Sequence, residues 1–168
     1  MRAQQPIRFV GGTASPYTRK MVALLRYRRL PYAITWGQPG PACEALGVEK
    51  PKPIFMPTFF FAEGDGLKAV TDSTPIIRRL EEMYPGRSVL PGDPALAFID
   101  YLIEDFADEW CTKYMFHYRW YPEVDADNAG TLLPLGVDVS LPSDAHEQFK
   151  HFVAERQITH GIRADIEH

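Results

Sequence analysis

Three hydroxyl side chains, Thr13, Ser15 and Tyr17, follow the pair Gly11-Gly12 within a few residues. Pro16 stands among them where a helix would take its first turn, and a missing N–H costs nothing there. Ser15 is suited to cap that helix. A helix start also offers unpaired N–H groups and a partial positive charge. A hydroxyl at this place can cap its own helix or donate to an anion, above all a thiolate, and the two uses compete in part. Asp72-Ser73-Thr74, just before Pro75, is a second cluster of capping residues at a helix start. Between the two lies Met56-Pro57-Thr58, at the head of an apolar run.

Other chemistry finds less support. Glu104 and Asp108 are four apart, as are Asp105 and Glu109. A di-metal centre on such carboxylates needs Glu-x-x-His partners on other helices. The sequence has none, so the pairs read as a solvated acidic face and no metal is expected. Cys43 and Cys111 lie in no C-x-x-C, which argues against a disulfide scaffold and a zinc knot. Cys111 is expected to be a small buried residue of a helix. His117 is a possible polar group among the aromatic residues 114 to 121, most of which are expected to pack in a core. His146, His151, His160 and His168 show no ligand spacing. Without G-x-G-x-x-G or G-K-[ST], nucleotide binding has no support.

These residues need elements to hold them. Ile7 to Val10 reads as a strand ended by Gly11-Gly12, and Tyr17, Met21, Leu24 and Leu25 mark one face of the helix that follows. Tyr32 to Trp36 reads as a second strand, so a parallel pair with a helical crossover is expected. A weak helix over roughly 41–46 follows. Thr58 to Phe61, the turn Gly64-Asp65-Gly66 and Lys68 to Val70 read as a hairpin. Ile76, Ile77, Leu80 and Met83 or Tyr84 form the stripe of a closing helix that ends at Pro85-Gly86. Beyond 90–94, residues 95–120 lack Pro and Gly and predict one long amphipathic helix. Residues 122–145 read as irregular, and 145 to about 158 as a last helix with Phe149, Phe152 and Val153 inward.

Hydrophobic residues make up 45% and charged residues 24% of the chain, the balance of an ordinary globular protein. A formal charge of −4 speaks against nucleic acid as the main partner. The densest basic run, RYRR at 26–29, reads as the solvated end of a helix. The first ten residues hold no apolar core of signal-peptide length, and no run is long and apolar enough to span a bilayer. The expectation is a cytoplasmic protein with no membrane partner.

The order strand, helix, strand, helix, hairpin, helix resembles a thioredoxin fold, with S-P-Y-T where glutaredoxins carry C-P-Y-C. M-P-T at 56–58 resembles that fold's cis-proline turn. D-S-T-P-I-I-R-R-L at 72–80 followed by M-Y-P resembles the glutathione transferases. The resemblance implies an α/β thioredoxin-like domain over 1–88, a linker over 89–93 and a truncated all-α domain over 94–168. It implies glutathione as co-substrate, an apolar electrophile as second substrate and a homodimer. Ser15 is the first choice for the group facing the thiol, with Tyr17 and Thr13 in reserve. A cis Pro57 would leave the Met56 backbone to pair with the cysteinyl part of the tripeptide. Asp72 and Ser73 would take the γ-glutamyl ammonium and carboxylate, and Lys52 the glycyl carboxylate. Phe55-Met56 depart from the Lys or Gln and Val common in the family before this proline.

Magnitudes fit a single hydroxyl. A free thiol titrates near about 8.5, and lowering that by about two units takes roughly 2.7 kcal/mol. A hydrogen bond to a charged group supplies about 1.5–3 kcal/mol, and a helix end about 0.3–1 kcal/mol. With serine in place of the first cysteine, thiol–disulfide exchange is disfavoured. The remaining alternative is a non-catalytic glutathione-binding or protein-interaction module on the same fold.

Overall fold

A computed structural model describes residues 5–159 of the chain. The chain divides into two compact units between Val89 and Leu90. The first unit runs β1 (Ile7–Gly11), α1 (Pro16–Arg28), β2 (Tyr32–Trp36), α2 (Pro39–Leu46), β3 (Thr58–Glu63), β4 (Gly66–Val70) and α3 (Ser73–Met83). Its sheet has the order β2-β1-β3-β4. β1 and β2 are parallel, with Ile7 opposite Tyr32, because α1 returns the chain to the same end of the sheet. β3 runs antiparallel to both of its neighbours. This is a thioredoxin-like arrangement.

Alternation along the strands builds two cores. Consecutive side chains of a strand point to opposite faces, so Phe59 and Phe61 part company with Phe60. Phe9, Phe59 and Phe61 bury with Met21, Val22 and Leu25 of α1 and Ile76, Ile77 and Leu80 of α3. The Phe9 and Phe59 rings stack at 4.5 Å. On the other face Val10, Phe60 and Ala69 bury with Cys43 of α2.

The end of α1 corrects one expectation. Arg26, Tyr27 and Arg29 are exposed, but Arg28 is 3% exposed. Arg29 takes the left-handed conformation at φ 57° that ends the helix. Arg28 Nη2 donates to the carbonyls of Tyr84 and Gly86. Its Nη1 lies 3.0 Å from Glu81 Oε1, without the alignment of a hydrogen bond. Glu81 in turn accepts from Val89 N at 3.2 Å. The arginine thus ties the end of α1 to the end of α3.

The second unit holds α4 (Pro94–Glu109), α5 (Cys111–Trp120), α6 (Glu123–Leu135) and α7 (Ser143–Gln157). Two helices therefore replace the single one expected over 95–120. The two helices meet at Trp110, whose N donates to Phe106 O at 2.9 Å. Thr112 Oγ1 donates to Asp108 O at 2.9 Å, a back-bond that bends helices, while Lys113 N donates to Trp110 O at 3.0 Å. Cys111, opening α5, is exposed rather than buried.

Residues 123–135, expected to be irregular, are helical. Glu123 and Asp125 face the positive end of α6. Gly130 lies against α7, where a Cβ would meet Lys150 Cγ at 3.1 Å. An Asp127–Lys150 ion pair and a 2.8 Å contact between His146 Nε2 and Thr131 O join the same two helices. The composition that suggests a loop is that of a close helix pair.

Burial is sparse in this unit. α4 buries no residue, and Phe98, Ile99, Leu102, Ile103 and Phe106 are all exposed. Of the aromatic cluster only Trp120 is buried, while Tyr114, Tyr118 and Tyr121 are exposed. His117 is exposed and stacks on Tyr121 at 4.8 Å. Phe152 is exposed, and Phe149 and Val153 are half-buried. His160 and His168 lie outside the described residues.

Candidate functional site

The turn between β1 and α1 is built by close approach. A Cβ on Gly11 would fall 2.6 Å from Thr18 Oγ1, so only glycine lets the buried Thr18 reach the strand exit. Gly12 N donates to Thr18 Oγ1 at 3.3 Å, and Ser15 N donates to Gly12 O at 3.2 Å. Ser15 then caps α1, its Oγ accepting from Thr18 N at 3.2 Å, with Pro16 in the first turn. The cap uses the serine oxygen as acceptor, and a hydroxyl also carries a proton to donate. Ser15 and Tyr17 are half-buried. Thr13 is exposed, and its carbonyl accepts from Arg19 Nε at 2.9 Å.

Met56 reaches this turn from the other side of the sheet order. A Cβ on Gly12 would lie 3.0 Å from Met56 Sδ and 4.0 Å from Ser15 Cβ. The Met56–Pro57 peptide is cis. Thr58 Oγ1 donates to Phe55 O at 2.7 Å and folds the turn onto the head of β3. Lys52–Pro53 is a second cis peptide, which sequence reading missed. Lys52 itself is exposed and joins none of these contacts.

Asp72 and Ser73 begin α3. Asp72 sits at φ 76° and ψ 121°, a backbone region that costs a residue with a Cβ about 1–3 kcal/mol. Its Oδ1 accepts from Thr74 N at 3.1 Å, so it is a true cap. Ser73 is 3% exposed, and its Oγ accepts from Lys20 Nζ at 3.1 Å. Lys20 was not foreseen. It belongs to α1, five residues after Ser15, or roughly 7–8 Å along the helix axis. One helix therefore connects both halves of the candidate site, with Gly12, Ser15 and Met56 at its start and Lys20, Ser73 and Asp72 further along. No sequence period signals a lysine bonded to a serine on another helix.

Charge in this region is positive at the start of α1, from its N–H groups, and at Lys20. Burial pushes the Cys43 thiol up, with the nearby Lys50 charge opposing more weakly. Cys43 is thus held as a thiol inside the second core. Among the described residues no group of three or more His, Cys, Asp or Glu is placed to hold a metal ion. No helix among them is long and apolar enough to cross a membrane.

Residues 9–88 match the sequence model of the glutathione S-transferase N-terminal domain. This stretch is a domain of the glutathione S-transferase N-terminal type. Solved transferases share the fold. A glutathione S-transferase from Methylobacterium radiotolerans, in complex with glutathione sulfonate, superposes with a TM-score of 0.52 at 18% identity, over 95% of this chain and 65% of that one. One from Rhodospirillum rubrum F11 gives 0.52 at 21% identity, over 91% and 64%. A glutathione transferase from Phanerochaete chrysosporium gives 0.53 at 20%, over 91% and 62%. The chain spans a little under two thirds of the length of these transferases. No curated protein matches it.

Proposed function

We propose that this chain binds glutathione along α1 and activates the thiolate for attack on an apolar electrophile. The observation that carries the reading is the meeting of Ser15, Gly12 and Met56 at the N-terminus of α1. A cysteinyl sulfur placed there meets a helix start and a hydroxyl whose oxygen already accepts from Thr18 N. Accepting one bond polarises the O–H and strengthens it as a donor. Tyr17 and Thr13 are the reserves for this role. The Met56 backbone would pair with the cysteinyl residue as an added strand. Asp72 would take the γ-glutamyl ammonium and Ser73 its carboxylate, at the start of α3. Lys52 is assigned to the glycyl carboxylate. The glutathione sulfonate complex of the Methylobacterium transferase supports the ligand class. A homodimer in the cytoplasm completes the proposal.

The test is calorimetric titration of reduced glutathione into the chain, beside Ser15→Ala and Asp72→Ala. Binding that weakens in Asp72→Ala, with a thiolate absorbance that disappears in Ser15→Ala, supports the reading. No binding at millimolar glutathione overturns it.

A second reading is a non-catalytic glutathione-binding or protein-interaction module. The exposed apolar side chains of α4 favour it. Glutathione binding without conjugation of a model electrophile would select it.

A further inference from the structure

Gly12 lies outside the left-handed region, so its backbone is one that any residue adopts. What glycine supplies there is room. A Cβ at this position would come within 3.0 Å of Met56 Sδ and 3.9 Å of Met56 Cε. The same Cβ would lie 4.0 Å from Ser15 Cβ. The Met56 thioether and Ser15 thus border one small volume over the turn that opens α1. Both flanks of Met56 are fixed, since Pro57 is fully buried and Phe55 O accepts from Thr58 Oγ1 at 2.7 Å. The turn is nevertheless open to water. Ile54 and Phe55 are 45% and 56% exposed and Met56 is half-buried, whereas Met21 is 0% exposed. A small reagent in water has a path to Met56 that it lacks to Met21. A methionine sulfur is apolar and polarisable, and oxidation turns it into a polar group.

We propose that Met56 Sδ is an oxidation site, taking one oxygen from a hydroperoxide, and that the sulfoxide withdraws the Ser15 hydroxyl from a bound thiol. This rests on the glutathione reading and adds regulation to that same site. In the step, a sulfur lone pair attacks the outer oxygen of the hydroperoxide. The S–O bond forms as the O–O bond breaks, and the hydroperoxide proton passes to the departing oxygen. The thioether is oxidised to the sulfoxide, and the hydroperoxide is reduced to an alcohol, or hydrogen peroxide to water. The new oxygen accepts hydrogen bonds, and the Ser15 hydroxyl across the same small volume carries a proton to donate. With that proton on the sulfoxide, the thiol loses its donor. The cap of α1 survives, because it uses the Ser15 oxygen as acceptor from Thr18 N. A methionine sulfoxide reductase would reset the side chain.

The experiment treats the chain and Met56→Leu with hydrogen peroxide, then with dithiothreitol, and desalts both. Dithiothreitol returns disulfide and sulfenic acid at the exposed Cys111 to the thiol. Peptide mass mapping locates the added oxygen. Thiolate absorbance then gives the pH at which bound glutathione ionises, before and after treatment. The expected result is one oxygen on Met56 and a rise of about one to two pH units in that midpoint, the worth of one hydrogen bond to a charged group. In Met56→Leu the midpoint should stay where it stood before treatment, although Met83, 46% exposed, and Met115 remain open to oxidation. Leucine conserves volume. Thermal melts check its folding, and Met56→Val is a second variant read in the same way. Met56 left unoxidised, an unmoved midpoint in the oxidised chain, or an equal rise in the variants would each overturn the switch, while glutathione binding by the untreated chain left the proposed function standing. Failure of the untreated chain to bind glutathione would overturn both.

Discussion

The two units dispose of their apolar side chains in opposite ways. Up to Val89 the aromatic and aliphatic residues of β1, β3, α1 and α3 close into a core with Phe9, Phe59, Leu25, Ile76 and Leu80 almost wholly out of water. From Leu90 onward only Trp120, Gly130 and Pro134 are buried among the described residues, and α4 buries nothing. Charge divides along the same line. Residues 1–89 carry 13 Lys and Arg against 7 Asp and Glu, and residues 90–168 carry 5 against 15. The first unit is held by its own interior. The second is held by helix hydrogen bonds, the Asp93 cap of α4 and the α6–α7 contact, and its acidic residues share the unit with an exposed apolar surface. That surface is where the proposed homodimer would form, since large exposed apolar patches mark interaction sites.

The contrast breaks or holds on a pair of truncations. Phe59→Ala should cost about 3–5 kcal/mol in urea denaturation, from lost transfer and the cavity left behind. Ile103, 63% exposed, is of similar apolar character. Ile103→Ala should change stability by no more than about 0.5 kcal/mol at protein concentrations where the chain is monomeric. A loss near that of Phe59→Ala would mean that α4 is covered in solution, and the loss would then depend on protein concentration.

Arg28 gives the next largest effect. Arg28→Met removes the donor to Tyr84 O and Gly86 O and leaves Glu81, only 13% exposed in its side chain, without its cation. Breaking such a buried pair costs about 3–5 kcal/mol, whereas replacing both members by apolar residues is often near neutral. Arg28→Met should therefore destabilise strongly, and Arg28→Met with Glu81→Met should recover a large part. A double variant as unstable as the single one would place the cost in the lost carbonyl contacts instead.

The cysteines sharpen the comparison through pH. Burial raises the Cys43 thiol, so the folded chain keeps this proton to higher pH than the unfolded chain. The stability linked to the neutral thiol is complete below the unfolded value, near about 8.5, and is lost as pH rises toward the folded one. Thermal midpoints should fall over that interval, less so in Cys43→Val. Cys111, exposed in the second unit, should react quickly with a thiol reagent at neutral pH while Cys43 stays protected.

The first unit was legible because its determinants are local and periodic. Three phenylalanines in a row at 59–61 alternate between faces, Gly11-Gly12 closes a strand, and Ile76, Ile77 and Leu80 trace a helix stripe. The capping residues Ser15 and Asp72 were visible for the same reason. What escaped depends on contacts between elements. Nothing in RYRR marks Arg28 as the residue that turns inward. The loop-like composition of 123–135 conceals that Gly130 lets α7 approach. The break at Trp110 falls in a stretch with no Pro or Gly, beside a threonine hydroxyl that takes the Asp108 carbonyl. Lys20 and Ser73 are brought together only when α1 and α3 share one face of the sheet.

The smallest effect expected concerns how the second unit holds its turns without burial. Between α6 and α7, Asp138 Oδ1 accepts from the Ser140 hydroxyl at 2.6 Å and from Ser140 N at 2.8 Å. The hydroxyl is the larger cause, followed by the N–H, that holds this carboxyl below its usual range. A depressed folded value means that the associated stability is present above the unfolded carboxylate pKa and is lost as pH falls through the folded one. The group is fully exposed, so the change in overall stability will be slight, and the useful readout is the carboxyl itself. In Ser140→Ala the hydroxyl goes and the N–H stays, so the Asp138 carboxyl resonance followed by NMR should titrate closer to an ordinary aspartate. An unchanged titration would shift the credit to the backbone N–H, and the turn would then be held by main-chain geometry alone.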